Sequence, residues 1–409
     1  MTLALAVVAS LGYAFEEFKE QFPWLITLQL KSHALMSRLE PREARVERVA
    51  LVLIDDVTFW GTQLHGVQPT NRKFLANIAR AAADGNAAVI AIDFQMKSPD
   101  PDRTGDDEQR KADNAFLLET VRNITAKGIP VVMTCGLVPQ NESWKRQPNI
   151  FDDTELPQGT RIGHINLPHD KRQIPLATEA WEWDGRSRRS FESFALQIVN
   201  AYEAVKRIKP PVKQNRAIRR VMEKGEFVYG DFLPPSSFPS ISAIDLLGGR
   251  PDDIRSFCNH QVILIGGSWH RDAANSGPLI ESFQTPAGFM PGCYVHANYV
   301  EALLDNRVKL PLPRWCAPAI DFLLGFLIVL CFFLAAGTRK RLGVLAVFFL
   351  LISVAYLFFI NVGWYLDFIV PLSLLFFHLP VEDYLELKAK RRLTASSGVS
   401  RHRPKRQPE

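Results

Sequence analysis

The sequence is poor in cysteine and lacks the short motifs on which most catalysis depends. Five cysteines in 409 residues exclude a disulfide-framed mini-scaffold. Cys316 and Cys331 fall in an apolar stretch, which leaves Cys135, Cys258 and Cys293 for the polar part, an odd number that cannot all pair within one chain. Cys258 with Cys293 is the pair expected if a bridge forms; reduced, buried thiols are the equal alternative. No H-E-x-x-H, G-x-S-x-G, C-x-x-C or P-loop lysine is present. The commonest signatures of metal-dependent, acyl-transfer, thiol-redox and nucleotide chemistry are thereby missing. The expectation is a non-enzyme without cofactor or metal.

Charge is scarce in one place. Residues 315–380 hold only Asp321, Arg339, Lys340, Arg341 and Asp367 as charged side chains, too few for a soluble domain of that span. The net charge of +5 is the sum of this stretch and the basic segment after it, because acids and bases balance before residue 315. No nucleic-acid partner is expected; the excess base reflects loops beside a bilayer.

Three apolar runs, Trp315 to Gly337, Leu342 to Asn361 and Trp364 to Val381, predict a bundle of three transmembrane helices over 315–381. At about 1.5 Å per residue each covers a hydrocarbon core of about 30 Å. Arg339, Lys340 and Arg341 connect the first two runs, and Lys388, Arg391 and Arg392 follow the third, whereas NVGWYLD between the second and third has no base. Since short basic loops stay in the cytoplasm, the tail 382–409 is inside and residues 45–314 are exported. The opening MTLALAVVASLGYAF supplies the export signal within residues 1–20. An uncleaved anchor is expected over a cleaved signal, as no A-x-A site follows. The expected location is a bacterial inner membrane, with the lipid bilayer as a partner.

Within 45–314, VALVLID (49–55) and AAVIAID (87–93) are short, β-branched runs, apolar without alternation, as in strands buried on both faces; IPVVMTC and QVILIGG are further strands, and RIGHINL is a candidate fourth. Helical patterns lie between them: Phe74, Ile78 and Ala82, with Gly85 as the closing residue; Phe116, Leu117, Val121 and Ile124; Phe194, Ile198 and Tyr202; Val295, Tyr299, Val300 and Leu303. The fold expected is α/β, a largely parallel sheet flanked by helices. The polar stretches 98–113 and 206–226 are read as solvated excursions from it.

Asp55, Asp56 and Asp93 close strands, at the edge where open α/β sheets bind ligands; helix capping is the competing reading. Gly266, Gly267 and Ser268 follow a strand and form either an anion cradle or, more simply, a tight turn. His270, Asp272 and His296 lie in the last block and form a further group of ligand candidates. Asp321, the one acid within the first apolar run, is a candidate for coupling across the membrane.

The ordered set of these residues resembles a known family. VALVLIDDVTFW, then Arg72 opening the first helix, then AAVIAIDFQ; Trp181, Asp184, Gly185, Arg188 and Arg189 in the middle; and VILIGGSWHRDAANS with TPAGFMPGCYVHANYVEALLDNR before three apolar runs are similar to the second CHASE-type domain, the cyclases/histidine kinases associated sensory extracellular domain of bacterial receptors. The resemblance covers about residues 45 to 380. It implies an extracytoplasmic sensor of a small-molecule or protein signal, acting as a homodimer or higher oligomer. In such receptors a kinase or cyclase normally follows the third span, and the short basic tail instead predicts output through a separately encoded cytoplasmic effector protein. Two alternatives stand beside this: a membrane effector whose spans oligomerise, and an exported hydrolase.

Overall fold

The computed structural model describes residues 23–39, 46, 48–61, 64–66, 70–96, 107–141, 143–152, 155–207, 227–272, 277–311, 338–357, 364–365 and 388. Two compact units divide the chain, residues 33–311 on one side, residues 1–32 with 312–409 on the other. The predicted anchor 1–20, the predicted first span with Asp321, Arg391 and Arg392, and most of the predicted third span lie outside the described residues.

In unit 33–311 the main helices are α1 (Pro23–Leu39, of which His33 onward belongs to this unit), α2 (Asp56–Trp60), α3 (Arg72–Asp84), α4 (Asp107–Ala126), α5 (Phe194–Lys206), α6 (Ala243–Gly248), α7 (Pro251–Cys258) and α8 (Gly292–Leu304). The strands are β1 (Val49–Asp55), β2 (Val89–Gln95), β3 (Val131–Cys135), β4 (Leu137–Gln140), β5 (Ser143–Arg146), β6 (Thr160–His164), β7 (Gln173–Pro175), β8 (Ala177–Trp181), β9 (Arg188–Glu192), β10 (Phe227–Gly230), β11 (Ser240–Ser242), β12 (Val262–Ser268), β13 (Ser282–Thr285), β14 (Gly288–Pro291) and β15 (Val308–Pro311).

Six strands form one sheet in the order β11-β1-β12-β2-β3-β6, parallel throughout. Strand side chains alternate between faces, and both faces are dry. Val49, Leu51, Val262, Leu264, Val89 and Ala91 pack with α5 and α8 on one face. Ala50, Val52, Ile54, Ile263, Ile265, Ile90 and Ile92 pack with α3, α4 and α6 on the other. This explains why the strand sequences run apolar without alternation. Each Val, Leu or Ile among them, wholly buried, contributes about 1.5–3 kcal/mol. The expected largely parallel α/β sheet is therefore the observed one.

Helix ends follow local chemistry. Asn71 caps α3 by accepting from the Phe74 amide at 3.0 Å, and Ser193 caps α5 by accepting from that of Leu196 at 3.3 Å. The left-handed residue after α3 is Asn86 (φ 66°), not the predicted Gly85, whose φ is −77°. Gly85 answers a different need: a Cβ there would stand 2.7 Å from the Cβ of Cys258.

Outside the parallel sheet, β4-β5-β8-β9 form a second, mixed sheet. Arg146, 7% exposed, anchors it through Asp152 at 2.6 Å and Glu182 at 2.8 Å. The predicted Trp181–Arg189 element is the β8–β9 hairpin, turning at Gly185 (φ 73°) and laced by Arg188–Glu179 at 3.0 Å and Arg189–Glu182. β10 lies between β7 and β15, antiparallel to both. His33 of α1 donates from Nε2 to the Gly230 carbonyl of β10 at 2.8 Å. Arg48, just before β1, meets Asp305 after α8 at 2.7 Å.

One open alternative is decided and two expectations are corrected. Cys135, Cys258 and Cys293 are free, and no Cys258–Cys293 bridge exists because the two thiols belong to the cores on opposite faces of the sheet. Gly266, Gly267 and Ser268 make no turn: they continue β12, in register with Leu53, Ile54 and Asp55. Arg339, Lys340 and Arg341 are not a turn either, since the helix α9 (Thr338–Leu357) begins before them.

Candidate functional site

The sheet's C-terminal edge separates the predicted site residues into two groups. In the first, Asp55 accepts from the Thr58 amide at 2.9 Å and so caps α2. Its neighbour Asp56 takes two hydrogen bonds from one residue, the amide of His270 at 2.7 Å and its ring Nδ1 at 2.7 Å. Trp60 Nε1 donates to the His270 carbonyl at 3.2 Å. This group is a clasp between the β1 and β12 ends. Asp272 follows it, half-buried, beside residues 273–276, which are not described.

Glycine serves contact rather than anion binding at this edge. A Cβ on Gly266 would stand 2.3 Å from the Cβ of Cys293, and one on Gly267 would strike the Trp269 ring. The absence of side chains lets α8 lie against β12, where the Cys293 thiol donates to the Gly267 carbonyl at 3.3 Å. Trp269 in turn stacks on Phe59 at 4.3 Å. Arg72 opens α3 as predicted but faces α4 rather than the strand ends. Its guanidinium bonds the Thr70 carbonyl at 3.3 Å, and burial and the charge of Arg110 lower its pKa while Asp113 opposes them.

The second group is more telling. Asp93 ends the buried part of β2, and His296 of α8 brings Nε2 to 3.8 Å from Asp93 Oδ1; the side chains are 10% and 7% exposed. Burial pushes the Asp93 carboxyl up to about 7. Burial also pulls His296 down to about 4, with Glu281 opposing and Lys171 assisting. Both shifts favour neutral forms, so the pair is an acid beside a neutral imidazole rather than an ion pair. His296 Nδ1 has no partner among the described residues. The ring is held edge-on by Phe194 at 5.4 Å.

His164, the last residue of β6, lies near enough to His296 for its proton affinity to fall. Burial and then His296 bring it to about 4, and its Nδ1 also lacks a partner among the described residues. Glu281 stands at the exposed rim with left-handed backbone (φ 55°). Partial burial raises its pKa, Asp93 adds to that and His296 opposes. Lys171 is occupied, its Nζ over the Phe283 ring at 4.8 Å and donating to the Pro168 carbonyl.

Sequence reasoning named Asp93 and His296 but grouped His296 with His270. The fold separates them, giving His270 to Asp56 and His296 to Asp93. It missed His164, Glu281 and Lys171. His164 ends a predicted strand, as Asp93 does, and that position was the available signal.

Burial and the nearby Asp93 raise the pKa of the Cys293 thiol well above the ordinary range, which disfavours the thiolate. Among the described residues no group of three His, Cys, Asp or Glu is arranged to hold a metal ion. The arrangement offers a buried carboxyl and imidazole nitrogens without partners among the described residues, which suit binding more than bond making.

A family model described as the CHASE2 domain matches residues 2–337. The chain belongs to the CHASE2 domain family. No curated protein and no solved structure matches it. CHASE2 is a family of extracellular sensor domains, sensory rather than catalytic. The match takes in the whole of the α/β unit that holds both groups, so in this CHASE2 chain both lie within the matched residues.

Proposed function

We propose that the protein is an extracytoplasmic sensor of a bacterial inner membrane that reads its signal at the Asp93–His296 group. In this reading residues 1–20 form the anchor and 45–314 the sensor domain. Residues 315–381 form three spans and 382–409 a cytoplasmic tail. A shift in the sensor passes through the spans to a separately encoded cytoplasmic effector, within a homodimer or higher oligomer.

One observation carries the reading. His296 sits on α8, and α8 leads directly into β15, which ends at Pro311, four residues before the first apolar run begins at Trp315. A signal that alters the partner of Asp93 therefore acts on the last helix before the membrane. A ligand with different affinity for two packings of α8 shifts their populations, and that difference is the signal.

Among the described residues no helix is long and apolar enough to cross a membrane. The apolar part of α9 is described from Leu342 to Leu357, about 24 Å of helix, while the apolar sequence continues to Asn361. Leu342, Phe349 and Leu350 of α9 are exposed, as the side chains of a lipid-facing helix would be. Arg339, Lys340 and Arg341 at its start support a cytoplasmic location for that end by the positive-inside rule.

Two measurements test the proposal. A membrane-impermeant maleimide on intact cells should label Glu179→Cys, on the exposed β8, and should label Ser397→Cys in the tail only after permeabilisation. The reverse pattern overturns the topology. The rate at which Ser397→Cys tails cross-link between copies in membrane vesicles should change at least about twofold in His296→Gln; an unchanged rate removes the coupling.

A further inference from the structure

The far end of α8 gathers acids where a helix least favours them. Glu301, 1% exposed, lies in its last turn and Asp305 caps it one turn on, both at the end where the helix dipole opposes negative charge. Asp305 is already engaged: Arg48 Nη1 donates to its Oδ1 at 2.7 Å and Arg307 Nε to its Oδ2 at 3.2 Å. Glu301 Oε2 has no partner among the described residues, and its carboxyl hydrogen-bonds the side chain of Asp305. Two ionised carboxylates only accept, so they cannot hydrogen-bond each other. One of the pair therefore holds a proton, and it is Glu301, because Asp305 takes the charge of two guanidinium groups.

We propose that this proton operates a lock on the joint between α8 and β15. Protonated Glu301 donates to Asp305 and holds the joint closed; loss of the proton sets two carboxylates against each other at one helix end and loosens it. The inference goes beyond the sensing site proposed above and does not rest on it.

The joint is short and tied on several sides. Asn306 turns the chain with left-handed backbone (φ 54°), and the amides of Asn306 and Arg307 bond the Leu303 and Ala302 carbonyls at 3.3 and 2.8 Å. β15 follows at once and pairs Val308 with Gly230 of β10, whose carbonyl also accepts from His33 of α1. Arg307 Nη1 reaches Asp231, the residue after Gly230, at 3.2 Å. Asp305 and Arg307 thus fasten the end of α8 to the start of β1 and the end of β10, and a change in their charge balance acts on β15.

The groups that face Glu301 are Tyr202 on α5, Arg48 before β1, and Asp305 and Arg307 after α8. Asp231 after β10 joins them through Arg307. Glu203 on α5 and Lys309 on β15 are buried charged groups of the neighbouring elements, each with interactions of its own. Burial and then the charge of Asp305 push the Glu301 carboxyl above the ordinary range, with Arg307 and Arg48 opposing. A group that binds its proton more tightly in the closed joint than in the open one favours closure at low pH. Opening should gain up to about tenfold per pH unit as pH climbs from about 4.3, the ordinary Glu value, and level off above the raised value.

The test is hydrogen exchange of the full chain in detergent micelles, read by mass spectrometry on peptides covering residues 299–311 and corrected for the intrinsic pH dependence of exchange. Every chain carries Asp93→Asn, so that the buried acid beside His296 does not titrate. Exchange in these peptides is expected to be about tenfold or more faster at about pH 8 than at about pH 5, with peptides from β12 unchanged. Glu301→Gln, whose amide donates to Asp305 at every pH, should stay slow throughout. Asp305→Asn removes the opposing charge and frees Arg48 and Arg307 for Glu301, so the step should move to lower pH. No step in the Asp93→Asn chain, or a step that persists in Glu301→Gln, overturns the proposal. Should Glu301→Gln lose its near-UV circular dichroism, the Asp305→Asn chain decides, and a step left unmoved there overturns it. The sensing site is judged separately, by the tail cross-linking of His296→Gln.

Discussion

Replacing Asp93 with Asn should make the protein more stable at neutral and alkaline pH, which is unusual for a change at a buried polar site. The carboxyl titrates near 7 in the folded chain because burial disfavours its charge, whereas in the unfolded chain it returns to about 3.8–3.9. The folded state therefore binds the proton more tightly, and stability falls as pH rises from the unfolded value to the folded one. At about 1.36 kcal/mol per unit, the penalty is on the order of 1.5 kcal/mol near pH 5 and on the order of 4 kcal/mol above pH 7. Asn keeps the size and removes the charge, so it carries no such slope. Thermal unfolding of wild type and Asp93→Asn in micelles, followed by near-UV circular dichroism, should show a gap that widens by roughly 10 °C between acid and alkaline pH. Parallel curves across that range would refute the reasoning, because they would mean that the carboxyl is solvated or already paired in the folded chain.

Other outcomes follow from the same packing. Gly266→Ala should cost about 1–3 kcal/mol, since its Cβ would stand 2.3 Å from that of Cys293; urea unfolding measures it, and Cys293→Gly in the same chain should restore part of the loss. Arg146→Met should cost about 3–5 kcal/mol by leaving Asp152 and Glu182 with no guanidinium between them, again read by urea unfolding. Dithiothreitol should leave the unfolding temperature unchanged, because Cys135, Cys258 and Cys293 are already free.

How far sequence led to structure depended on the kind of strand. VALVLID, VIAID and QVILIGG were legible because strands covered on both faces are apolar at every position. β8 (ATEAW) and β9 (RRSFE) were not, since Arg188–Glu179 and Arg189–Glu182 hold them together where apolar runs would otherwise be expected. β4 contains Pro139 and β7 and β11 are three residues each, below what periodicity can register. At the site, Asp55 was legible as a cap because its partner Thr58 is three residues away. The Asp56–His270 pair joins residues 214 apart in the chain, and no local pattern encodes such a meeting. The glycines at 266 and 267 were legible as special but not as strand residues, because the need for them comes from Cys293 and Trp269.

The position of β12 between β1 and β2 has a consequence for how the protein is made. β1 and β2, synthesised early, have no ladder with each other and must wait for Val262–Ser268 to lie between them. The sheet therefore cannot be completed from the N-terminus onward, and the first two strands remain sticky until most of the domain has been delivered. Such long-range closure is slow and exposes strand edges to aggregation. A chain of this topology should depend on holding factors during export, and stalling its synthesis before residue 262 should leave a protease-sensitive product where a stall after residue 311 leaves a resistant one.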